Sequence, residues 1–124
     1  MMFRLASQHR SLCVLAVDAL VLDLPNVMVT DQNEGSGYVR FYPSATGLVA
    51  LDYGMIFAED WTDADQIMCW RKKSAKCAEV LVPDAVSPRH LLGAHVSCQE
   101  TAQAVHMESA GQLTTHANPG LFFQ

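Results

Sequence analysis

No two of the four cysteines form a C-x-x-C pair: Cys13, Cys69, Cys77 and Cys98 are scattered along the chain. The five histidines form no H-E-x-x-H or related pattern. Zinc ligation needs thiolates or imidazoles within tetrahedral reach, so the spacing predicts no metal centre. The thiols read as buried and free in a reducing cytoplasm. Long apolar runs are missing too. The run from Leu12 to Val17 stops at Asp18, far short of a bilayer span, so no membrane partner is expected. No small-residue cleavage site comes after it, so it does not read as a signal peptide, and a cytoplasmic location is the expectation. Internal repeats, low-complexity tracts and linkers are also absent.

The residues that are present describe one globular domain. The chain has 124 residues, 50% of them hydrophobic and 17% charged, enough for one core and not for two. The formal net charge of -5 gives no global attraction for nucleic acid, so any such contact must come from a local patch. One candidate stands out. Arg71, Lys72, Lys73 and Lys76 crowd into six consecutive residues, just after the acidic "AEDWTDAD". A solvated helix end would look the same.

The pattern along the chain is mixed. "SLCVLAVDALVL" reads as a central strand, and "VMVT" as a second strand leading into the polar loop "DQNEGSG". "YVRFY" then emerges from that loop. "SATGLVALDYGMIFAEDW" predicts a short helix and irregular chain. A helix from about Asp63 to Lys73 is expected, capped by Asp60 or Thr62, with Ile67 and Trp70 on its buried side. "SPRHLLG" predicts one helical turn capped by Ser87, and "AHVS" a strand. Ser97 and Glu100 form a possible capping box for the helix "CQETAQAVHMESAG", which Gly111 can close. The tail "QLTTHANPGLFFQ" ends in strand-like residues. Strands and helices do not alternate regularly, so the fold class is α+β.

Glu79 is the residue that needs explaining. From Cys77 to Val82 the side chains alternate as on a strand, with Cys77, Glu79 and Leu81 on one face and Pro83 ending the run. If that face is solvated, the acid carries no message. If its apolar neighbours describe a cleft, Glu79 stands at the floor of it. Both readings are open on residue type alone, although an isolated buried carboxylate is costly.

The ordered set of segments resembles the DarT family of DNA ADP-ribosyltransferase toxins. "VMVTDQNEGSGYVRFY" looks like the family's "v-f-T-D-g-N-A … r-F-y". "WTDADQIMCWRKKSAKCAEVLVPDAVSPRHLLGAHVS" is similar to its "W … R-r-k-q-A-E-f-L-V … v-p … I", and "NPGLFFQ" to its C-terminal "p-x-w-Y-F". The resemblance implies an ADP-ribosyltransferase-like split mixed β-sheet with short helices and a cleft for NAD as substrate. It implies transfer of ADP-ribose to thymidine bases of single-stranded DNA, and a macrodomain antitoxin as partner. The family's catalytic glutamate falls on Glu79. The basic loop before it, with Arg71, Lys72, Lys73 and Lys76, would meet DNA phosphates together with Arg40. Tyr38, Phe41 and Tyr42 would stack on unpaired bases or belong to the core. A second class of function stays open: a non-catalytic module that keeps the sheet and binds nucleic acid or a protein.

Family members also carry an NAD-contacting histidine and asparagine, then an arginine in "P-R-S-P-M". "MMFRLAS" resembles the residues immediately after that arginine. The expectation is therefore a single domain over 1–124 that is the C-terminal part of the family domain, N-terminally truncated. Such a chain should expose apolar surface on "SLCVLAV" and transfer little on its own.

Overall fold

The computed structural model describes residues 2–123. Strand β1 (Cys13–Val17) forms within the Leu- and Val-rich run, and the chain crosses later to β5 (Leu91–Val96) and β6 (Thr115–Ala117). These three strands make one sheet in the order β1-β5-β6, antiparallel between β1 and β5 and parallel between β5 and β6. β1 thus lies at one end of that sheet rather than at its centre. Helix α4 (Gln99–Glu108) joins β5 to β6. The chain divides into two units, and this sheet belongs to the one built from the segment up to Ala19 and the segment from Ser87. Its core holds Ala94, Val96, Ala102 and Phe122.

The second unit runs from Leu20 to Val86. Its sheet contains β2 (Met28–Thr30), β3 (Phe41–Pro43) and β4 (Val80–Leu81) in the order β3-β2-β4, antiparallel throughout. Val29 and Thr30 in the middle strand are fully buried. Two short helices, α1 (Ser44–Gly47) and α2 (Tyr53–Ile56), precede α3 (Gln66–Ala75). The sequence expectation of α+β and a mixed sheet fits this architecture.

Gly47 shows how closely α1 approaches the sheet. A Cβ there would clash with both Tyr42 Cβ and Val29 Cγ2, atoms close to the backbone of β3 and β2 with little room to swing aside. Gly47→Ala is expected to destabilise the second unit by about 1–3 kcal/mol. The midpoint of urea unfolding measures this, and an unchanged midpoint would show that α1 does not pack so tightly.

Several local expectations are corrected. The α3 cap is Asp65, whose side chain accepts from Ile67 N–H, because Asp60 and Asp63 are used in turns with Thr62 and Asp65. Ile67 and Trp70 are 64% and 60% exposed, so the expected buried stripe faces outward. The half-buried positions of α3 are Met68, Cys69, Lys72, Ser74 and Ala75. Ser97 does not cap α4: its hydroxyl meets His9 Nδ1 at 2.7 Å and donates to the His9 carbonyl, and Cys98 takes the cap position. The tail ends in a 3₁₀ turn, Pro119–Phe122, rather than a strand. All four cysteines are free, but Cys13 and Cys77 are exposed and Cys69 and Cys98 half-buried, against the expectation of buried thiols.

The N-terminal segment is a built element of its unit. Met2–Ser11 winds as a 3₁₀ helix that packs on the Pro119–Phe122 turn and on α4, with Arg10 3.3 Å from Glu100. Leu15 and Val17 of β1 are exposed.

Candidate active site

Glu79 sits one residue before β4, where the chain leaves α3. Lys76 closes the helix, its N–H bonding the Lys72 and Ser74 carbonyls, and a turn through Cys77 delivers Glu79 beside the end of β2. Thr30 then fixes the glutamate backbone. Its N–H donates to the Glu79 carbonyl at 2.9 Å, and its hydroxyl accepts from Glu79 N–H at 3.1 Å while donating to the Gln32 carbonyl at 2.6 Å. A threonine hydroxyl thus continues the sheet ladder where the backbone register stops. Because Thr30 is fully buried, these bonds are protected from competition with water.

The carboxylate is held separately. Oε1 accepts from Asn33 Nδ2 at 3.0 Å and Oε2 from Glu34 N–H at 2.9 Å. Asn33 is itself fixed, because its Oδ1 accepts from Gly35 N–H at 3.0 Å. Asp31 closes the loop behind them by accepting from Arg40 N–H at 2.9 Å. The 31–40 loop, legible as a polar loop in the sequence, is therefore a clamp on Glu79. A carboxylate has about four lone-pair positions, so each oxygen keeps capacity for a ligand donor. Glu79 is half-buried, neither submerged in the core nor on a fully exposed face.

The other expected site residues divide into two groups. Tyr38 and Arg40 lie on the same 31–40 loop as the clamp, and Tyr38 is 86% exposed. Phe41 is exposed on β3 and Tyr42 is half-buried. The basic cluster does not form a single free patch. Lys72 pairs with Asp63 at 3.0 Å, Lys73 lies 4.5 Å from the Trp61 ring centroid, and Lys76 Nζ donates to the Ala58 carbonyl. These lysines staple residues 58–63 to α3. Arg71 instead lines a cavity with Asp31 and Asp52. Sequence reasoning does not assign Thr30, Asn33 or Glu34; their signal is "VTDQNE" itself, and only pairing across about 45–49 positions reveals their task.

The staple has a pH signature. Asp63 is held below the ordinary carboxylate value of 3.8, first by the Asp65 N–H and then by Lys72. Asp60 is lowered from the same value by the Thr62 hydroxyl and N–H. A depressed folded-state value means these contacts act fully above pH 3.8 and are lost as the pH falls below it. The Trp61 indole resonance should shift on acidification through that range. A resonance unchanged to about pH 2 would contradict the staple.

The family model described as "ssDNA thymidine ADP-ribosyltransferase, DarT" matches residues 1–123. The chain belongs to the DarT family. This match corrects the expectation of a C-terminal, N-terminally truncated portion, since it runs through nearly the whole chain and both units. Among solved structures, Thermosipho africanus DarTG in complex with ADP-ribose is 23% identical with a TM-score of 0.79, over 99% of this chain and 33% of that one. Thermus sp. 2.9 DarT in complex with NAD+ is 19% identical with a TM-score of 0.72, over 89% of this chain and 57% of that one. The same DarT in complex with ADP-ribosylated ssDNA matches equally, over 54% of its chain. At such identities the likeness is one of fold. The chain spans about a third to somewhat over half the length of these relatives. No curated protein matches it.

Among the described residues, no helix is long and apolar enough to cross a membrane, and no cluster of three or more His, Cys, Asp or Glu side chains could hold a metal ion.

Proposed function

We propose that this DarT-family chain transfers ADP-ribose from NAD to thymidine bases of single-stranded DNA, with Glu79 as the catalytic carboxylate. The observation that carries the reading is the clamp: a half-buried carboxylate held through both oxygens by Asn33 and Glu34, in a chain matched by this family over residues 1–123. The solved relatives were captured with ADP-ribose, NAD+ and ADP-ribosylated ssDNA, the substrate and product classes this reading requires.

The chemistry explains the need for a fixed acid. As the bond from ribose C1′ to the nicotinamide nitrogen breaks, the electron pair leaves with nicotinamide and the sugar gains oxocarbenium character. A carboxylate that accepts a ribose hydroxyl orients the ring and stabilises the positive charge. A ring nitrogen of the thymine then bonds to C1′ and gives up its proton. Water would otherwise reorient around a loose side chain, so the Asn33 and Glu34 contacts set the carboxylate before substrate arrives. Tyr38 and Arg40, exposed on the clamp loop, would meet the acceptor strand by stacking and by phosphate contact. Lys72, Lys73 and Lys76 reach phosphates only by leaving their staple contacts.

As a DNA-modifying toxin the protein would act in the cytoplasm, and a macrodomain antitoxin able to remove the mark is the matching partner. Nicotinamide release tests the activity. With NAD and a thymidine-containing single strand, release should rise well above the rate without DNA. Equal release with and without the strand would count against DNA as the acceptor.

A further inference from the structure

We propose that residues 58–63 act as a built-in competitor for the acceptor strand, occupying the basic end of α3 until single-stranded DNA displaces them. The inference rests on the reading of single-stranded DNA as acceptor and adds a regulatory contact to it. All the residues concerned belong to the second unit. The stapled segment presents to α3 what a nucleotide strand would present. Its contacts pair in opposite chain directions: Asp63 with Lys72, Trp61 with Lys73, and Ala58 with Lys76. They offer the lysines an anionic oxygen, an aromatic face and a carbonyl oxygen. A single strand offers the same three groups as phosphate, base face and base carbonyl. Asp60 adds a second carboxylate within electrostatic reach of Lys72.

The segment is also built to let go. Residues 59–63 are exposed and belong to no helix or strand. Among the described residues, none of the five makes a backbone–backbone hydrogen bond, so their release breaks no ladder. The turns that Asp60 and Asp63 make with Thr62 and Asp65 are local and survive that release. A solvent-accessible ion pair and an exposed cation–π contact are each weak, so phosphates and bases can replace them one at a time. Arg71 is exposed and makes no hydrogen bond or ion pair among the described residues, which leaves it open to the first phosphate.

Affinity for a single strand, measured without NAD, reads the competition directly. A labelled thymidine-containing oligonucleotide is titrated with the full chain and followed by fluorescence anisotropy. Asp63→Asn keeps Oδ1 for the Asp65 N–H and removes the charge that pairs with Lys72. It should bind the strand about twofold to fivefold more tightly than the parent, the worth of one exposed ion pair. Its salt dependence should also be steeper, because strand binding by the parent frees a carboxylate that takes up a cation. Trp61→Ala should give a gain of similar size by releasing Lys73, although it alters no charge. Glu59→Gln is the control: it removes a charge from the same segment at a residue with no ion pair among the described residues, and should change affinity least. Either test variant decides the matter if the other fails to fold. Unchanged or weaker binding by a folded Asp63→Asn or Trp61→Ala would overturn the competition, as would an equal gain from Glu59→Gln or a parent that binds no strand. Adding NAD separates the two claims. Tighter binding by both variants without any transfer would sink the transferase reading alone; transfer by the parent with affinities unmoved by either substitution would sink the competitor alone.

Discussion

Glu79→Gln should lower ADP-ribosyl transfer by about two to three orders of magnitude or more, while the strand still binds. The substitution keeps the shape and removes the charge that opposes the oxocarbenium ion. It also disturbs the clamp in a defined way. Asn33 Nδ2 and Glu34 N–H both point donors at the present carboxylate, and the glutamine amide has only one oxygen to offer them. Asn33 cannot reverse its amide without abandoning Gly35 N–H. One contact is therefore lost, at about 0.5–1.5 kcal/mol of local stability for a solvent-accessible hydrogen bond. The catalytic loss exceeds the effect of so small a structural change. Single-turnover rates at saturating strand separate the two, and a variant within a few-fold of the parent would remove Glu79 from the mechanism.

Phe122→Ala should produce the largest loss of stability. Phe122 is fully buried, at 0% exposure, in the turn that ends the described chain. That turn packs on β5 and on the Met2–Ser11 helix, and Asn118 N–H ties its start to the Val96 carbonyl at 2.8 Å. Truncating a fully buried phenylalanine costs about 3–5 kcal/mol, because the cavity collapses only in part. For a protein of this size the melting temperature should drop by roughly 10 °C or more. The loss belongs to the unit that contains β1, β5 and β6, so amide exchange should accelerate there first. A fall of only a degree or two would mean that the tail does not anchor this core.

Local chemistry makes some of this legible in the sequence. The polar loop after Thr30, the strand at "VMVT" and the helical turn at "SPRH" come from composition and from Pro88, and all are present. Glu79 stands out because an acid interrupts an apolar alternation. The misplaced features are choices settled by distant partners. Ile67 and Trp70 face outward, while Lys72, Lys73 and Lys76 of the same segment contact residues 58–63, an arrangement that apolar periodicity alone does not encode. Ser97 has the residue type of a cap, but His9, 88 residues away, claims its hydroxyl. Thr30 carries no local sign of its task, since the Glu79 N–H it accepts lies 49 residues ahead. The basic run reads as free charge for phosphates, and its folded contacts show why a count of lysines does not measure a patch.

The central claim is tested most directly by mass spectrometry of the acceptor strand. A single-stranded oligonucleotide with one thymidine among deoxycytidines is incubated with NAD and the full chain, then with the Glu79→Gln variant. The parent should add the mass of one ADP-ribose, placed on the thymidine by fragmentation, while the variant leaves the strand almost unchanged. An adduct on deoxycytidine or the backbone, or an equal yield from the variant, would contradict it.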